Sequence, residues 1–142
     1  MTHIRKIALS AMAVFALASC SQSESSGGVK NYLLGNGFSE ANITVMTGEA
    51  YKKTQREDFV ADGLKEYIAG VKTPASDQEK PEQFYCWFFD TFDQADKFVK
   101  DYVGDIYTSL ENRVKDPRMG SHNNAAWAGT NSVAIGLGWS NA

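Results

Sequence analysis

Phe84-Tyr85-Cys86-Trp87-Phe88-Phe89 is the most hydrophobic stretch of the chain after its N-terminal leader, and Asp90-Thr91-Phe92-Asp93-Gln94 follows it directly. Six consecutive large or thiol side chains leave no polar face, so the segment reads as a central strand at least partly covered on both sides. Asp90-Thr91 ends it. Thr91 and Gln94 then form a capping box, the hydroxyl accepting from the N3 amide and the glutamine reaching back to the cap. Behind the box, Phe92, Ala95, Val99, Tyr102, Ile106 and Leu110 step by three and four. This spacing predicts a long amphipathic helix, closed by Pro117 and Gly120.

Working upstream, Ile43-Thr44-Val45-Met46-Thr47 is β-branched and alternating, which predicts a strand. Thr54-Gln55-Arg56-Glu57 reads as a second capping box. Val60, Leu64, Tyr67, Ile68 and Val71 recur behind it at helical spacing, predicting an amphipathic helix to Gly70. Lys72 to Glu82, with Pro74 and Pro81, reads as an exposed loop. Val29, Tyr32, Leu33 and Leu34 suggest a short helix stopped by Gly35-Asn36-Gly37. Downstream, Ala125-Ala126-Trp127-Ala128 reads as a strand, and Thr130 or Asn131 as the cap of a short helix through Val133, Ala134, Ile135 and Leu137. The expected fold is α+β: a single small sheet of about three or four strands with helices packed on it. Its element order resembles a split βαβ or ferredoxin-like sandwich. Such a fold hosts many functions and implies none.

Composition narrows the classes. The chain has 142 residues, 43% of them hydrophobic and 12% aromatic, which suits one folded domain, here residues 29–142, rather than a disordered chain. Fourteen Lys+Arg against 17 Asp+Glu give a net charge of −3. A nucleic-acid binder needs the opposite, a basic patch that displaces counterions. Two cysteines are too few for a disulfide scaffold or a four-thiolate zinc site.

The N-terminus reads as an address. Arg5 and Lys6 precede an uncharged run from Ile7 to Ser19. That run is shorter than the roughly 20 residues of a permanent membrane span, and it has the size of a signal-peptide core. It ends in Leu17-Ala18-Ser19-Cys20, which resembles the lipobox of bacterial lipoproteins. The resemblance covers residues 1–20 alone. It implies that residues 1–19 are a cleaved signal peptide recognised through Leu17, Ala18 and Ser19, and that Cys20 carries a diacylglyceryl group as the first mature residue. It places the protein in the bacterial cell envelope, anchored to a membrane and facing the extracytoplasmic side. Ala16-Leu17-Ala18 also fits an ordinary secretory signal, which would leave Ser19 at the front and Cys20 able to pair with Cys86.

Residues 20–28 comprise this cysteine and a Ser/Gly-rich stretch that reads as a flexible tether, with a coil span of roughly 16 Å. Removing residues 1–19 takes away Arg5 and Lys6 and no acid, leaving 12 basic against 17 acidic side chains, or −5. Anionic headgroups would repel such a domain, so the acyl chains must hold it.

Candidate chemistry is sparse. His122, beside Ser121 in a polar segment, is the one mature-domain histidine, and no G-x-S-x-G elbow accompanies it. Cys86, flanked by aromatics, reads as a small buried hydrophobe rather than a reactive thiol. Asp90, Asp93 and Asp96 lack calcium-loop spacing and suit the first turn of a helix. Gly35-x-Gly37 and Gly136-x-Gly138 lack the third glycine of a dinucleotide site. No metal site or cofactor is expected. Tyr85, Trp87, Phe89 and Trp127 are expected to share a sheet face; with Trp139 near the C-terminus, Trp87, Phe89 and Trp127 form the candidate binding set. The expected function is a non-catalytic binding or accessory domain for an envelope protein or small ligand. The alternatives are an envelope hydrolase using His122 and a dimerising module that pairs through its sheet face.

Overall fold

The computed structural model describes residues 25–72, 81–106, 109 and 125–138. The leader with Leu17, Ala18, Ser19 and Cys20, the segment with Ser121 and His122, and Trp139 lie outside the described residues, as do Leu110, Pro117 and Gly120.

The described residues open with helix α1 (Ser26–Gly35), followed by a 3-10 turn at Glu40–Asn42. Strand β1 (Ile43–Thr47) leads straight into helix α2 (Gly48–Lys53). Strands β2 (Leu64–Lys72) and β3 (Glu82–Phe89) complete a meander. Helix α3 (Phe92–Phe98), prolonged by a π-helical turn at Val99–Val103, crosses to the hairpin of β4 (Ala125–Ala128) and β5 (Ser132–Leu137). The five strands form one sheet in the order β1-β2-β3-β5-β4, every pair antiparallel.

The fold is α+β, one sheet with helices packed on it, as the sequence leads one to expect. Two details differ. The sheet has five strands, and its order β1-β2-β3-β5-β4 pairs β1 with β2, β2 with β3 and β4 with β5, strands consecutive in the chain, whereas the split βαβ of a ferredoxin-like sheet places another strand between the two it connects. Both differences trace to segments that read as helix and form strands.

The first is β2. Thr54 is the C-terminal cap of α2 rather than the start of a helix, and its hydroxyl donates to the Tyr51 carbonyl at 2.6 Å. Strand β2 pairs with β3 through a register shift between Leu64 and Glu66. That bulge puts Leu64 on the face of Tyr67 and Ala69, while Glu66, Ile68 and Gly70 take the other face. The broken alternation mimics a 3.6-residue period. The second is β5, where Ser132 to Leu137 are all buried. A short run with no exposed face carries no period at all, so length and flanking turns must decide.

Each face of the sheet has its own core. On one, α1 lays Val29 and Leu33, together with Phe38, against Ile68, Phe84, Cys86, Phe88 and Ala134. On the other, Tyr51 of α2 and Ala95, Phe98 and Val103 of the α3 segment cover Leu64, Trp87, Phe89, Val133, Ile135 and Leu137. The central strand β3 is thus buried from both sides, as its six apolar side chains require.

Helix ends follow their sequence signals. Both bonds of the Thr91–Gln94 capping box are present. Ser25 caps α1 by accepting from the Gly28 amide at 3.3 Å, and the Ser26 hydroxyl donates to the Glu66 carboxylate across the sheet edge. Residues 26–28, assigned to the tether by composition, therefore belong to the first helix. Their small side chains suit this close packing, since Ser26 and Gly28 are buried.

Candidate functional site

The core on the α2/α3 side does not close over the whole sheet. Above β1, β2 and β3 it leaves a cleft of about 830 Å³, within the size range of ordinary small-molecule sites. The floor follows from strand register, since Thr44, Ala69 and Tyr85 form one cross-strand row and Met46, Tyr67 and Trp87 the next. One wall is Tyr51 of α2 with the following segment from Thr54 to Phe59. The other is the prolonged helix, which contributes Asp101, Tyr102, Asp105, Ile106 and Ser109.

The π turn shapes that wall. It inserts extra backbone into the helix, so the buried positions run Ala95, Phe98, Val103 instead of keeping strictly to steps of three and four. Phe92, first in the expected apolar stripe, is 55% exposed. Beyond the turn, Tyr102 and Ile106 pack partly against the core while Asp101 and Asp105 stay exposed at the cleft. Such turns recur at functional sites because they re-aim side chains without breaking the helix.

Aromatic rings line the interior as a connected set. Tyr51 and Tyr67 lie with centroids 4.2 Å apart, and Phe59 and Tyr102 4.7 Å apart. Trp87 joins the halves, 5.6 Å from Tyr67 and 5.4 Å from Phe98, with Tyr51 edge-on at 6.3 Å. The Val60 amide donates to the Tyr102 hydroxyl at 3.0 Å, tying the loop wall to the helix wall. Offset and edge-on pairs each add about 0.5–1.5 kcal/mol beyond area burial. The rings are therefore held in place before any ligand arrives.

Polar groups are few and located. The Trp87 indole N–H is buried and makes no hydrogen bond within the protein. The Tyr51 hydroxyl is near enough to feel it, but the geometry falls short of a bond. Burial pushes the Tyr51 phenol above its ordinary pKa, and the neighbouring indole N–H partly offsets that rise. At the rim Arg56 pairs with Asp58 at 3.2 Å, both largely in solvent. Lys97 pairs with Asp101 at 2.5 Å one helical turn away, and this contact raises the lysine pKa. Asp105 has no ion-pair partner among the described residues.

The residues singled out in the sequence divide. Trp87 lies at the cleft floor, but only 1% exposed, and Phe89 at 0% is a core residue with no surface to offer. Trp127 does not share their face: it pairs in register with Ala134, and Ala134 with Cys86, so position 127 belongs to the opposite side of the sheet. Cys86 is fully buried there. Asp96 pairs with Lys100 at 2.8 Å along the helix. Among the described residues no group of three His, Cys, Asp or Glu side chains comes together. The residues missed are Tyr51, Phe59, Tyr67 and Tyr102. Their signal is faint but physical, since Tyr67 and Tyr102 occupy places in apolar stripes where an aliphatic residue would pack as well.

Comparison with known proteins places the chain in no family: no family model matches it, nor does any curated protein or solved structure.

Proposed function

We propose that this chain is a lipid-anchored lipoprotein of the bacterial envelope, held through Cys20 on the extracytoplasmic side, whose domain binds a small ligand without chemical change. The lipobox-like Leu17-Ala18-Ser19-Cys20 supports the anchor. One observation carries the binding role: partly exposed aromatic rings converge on a cleft of about 830 Å³ above a buried indole N–H. A wall packed only for stability would close this space, because interiors exclude voids and satisfy their donors. The cleft lining combines aromatic rings with a few polar groups, a composition that suits orienting a bound ligand.

The test is retention of a native ligand. The full chain, incubated with envelope extract and re-isolated, is expected to carry a small molecule detectable by native mass spectrometry. A Tyr67→Ser variant with an unchanged circular dichroism spectrum should lose it. Equal retention by both proteins, or by neither, contradicts the reading.

A further inference from the structure

We infer that the cleft selects a small organic cation, a substituted ammonium group seated on the faces of its aromatic rings with its charge answered by Asp105 and Asp101. The inference rests on the binding role proposed above and adds the ligand's chemical class.

The described lining is rich in aromatic rings and in carboxylates. Ring faces carry the negative lobe of the aromatic quadrupole, and tyrosine rings attract cations within about 6 Å of their centroids. Tyr51 and Tyr67, 4.2 Å apart, line the cleft together with Phe59 and Tyr102, 4.7 Å apart. Two carboxylates of the helix wall lie one turn apart at its mouth, Asp101 and Asp105. Asp101 is already engaged by Lys97 at 2.5 Å, whereas Asp105 meets no described cation. Among the described residues of the lining, Arg56 is the one basic side chain, and Asp58 offsets it at 3.2 Å in solvent, where its side chain is 87% exposed. The lining thus carries one basic against three acidic side chains, a balance of −2.

A neutral ring would gain from stacking but leave the carboxylates unanswered, and an anion would meet both carboxylates and ring faces. A substituted ammonium ion satisfies both features. It is also weakly hydrated, so it loses little on leaving water for a half-open aromatic site.

The probes are choline and dimethylbutanol, its uncharged carbon isostere, titrated into the full chain in detergent and followed by calorimetry and by tyrosine ring resonances. Choline should bind about three- to thirtyfold more tightly than the isostere, the range a desolvated cation–aromatic contact provides. Asp105→Asn should weaken choline about two- to fivefold at low salt, as removal of an exposed charge does, and leave the isostere unchanged. Raising the salt should shrink that difference. Asp105 is exposed, so this variant is expected to keep the fold, which an unchanged circular dichroism spectrum checks.

Equal affinity for the two probes, or an Asp105→Asn variant that binds choline as well as the parent, overturns the charge assignment while leaving the cleft a binding site. Choline-induced shifts confined to tyrosines outside the cleft, such as Tyr32, overturn it as well. The native-ligand experiment fails separately, since it depends on Tyr67 and not on ligand charge.

Discussion

Tyr51 shows how a single side chain serves packing and site together. Its ring is 7% exposed, stacks on Tyr67 and meets Trp87 edge-on. Its hydroxyl sits where burial disfavours the phenolate and holds the pKa above 10.0. In the unfolded chain the same group ionises near 10, so the unfolded state releases its proton first as pH rises. The stability tied to the neutral phenol is intact below about pH 10 and is lost upward from there toward the raised folded value. A Tyr51→Phe variant cannot ionise there. Its denaturation midpoint should fall less than the parent's between about pH 8 and pH 11, with Tyr32, also raised by burial, common to both proteins. Parallel losses in the two proteins would show that Tyr51 is solvated.

At the scale of elements, the position of α2 decides whether the cleft has a wall. The helix is only six residues long, too short to persist alone, and it is fixed by Thr47 accepting from the Ala50 amide at 3.1 Å and by close packing on β2. Gly48 permits that approach: a Cβ there would stand 1.9 Å from the Leu64 carbonyl oxygen. Gly48→Ala must push the helix off the strand. A loss of about 1–3 kcal/mol is expected, with lower ligand affinity because Tyr51 moves too. Thermal melting combined with a binding titration checks this; an unshifted melting temperature would mean that α2 is not seated on β2. The same scale explains what could be read in advance. β3, β1, β4, α1 and the Thr91 cap were legible because each carries a local signal: an unbroken apolar run, alternation, a glycine stop or a capping pair. β2 and β5 were not, since a bulge broke the alternation of one and burial on both faces erased it in the other. The cleft was hidden for a related reason. Its floor comes from three strands whose alignment is set by pairing, and its far wall is turned by a π insertion that no residue spacing announces.

For the molecule as a whole, the two sheet faces divide the work. α1, the first described element, packs with Phe38 on Ile68, Phe84 and Phe88, so the proposed anchor would reach the domain on the face opposite the cleft. With residues 26–28 in the helix, the proposed tether would be shorter than composition suggests and would hold the domain nearer the membrane. The net charge of −5 expected once residues 1–19 are removed would give no attraction to anionic lipid, so in the proposed anchoring attachment falls to the acyl chains, each buried methylene contributing about 0.8 kcal/mol. The same negative charge favours approach of a cation to the cleft. The proposed residence thus rests on one covalent event at Cys20. The intact mass of the protein purified from native membranes tests it most directly. The account predicts a chain starting at Cys20 and heavier than its polypeptide by a diacylglyceryl group, with or without a further acyl chain. A chain beginning at Ser19, or one weighing no more than its amino acids, would contradict it.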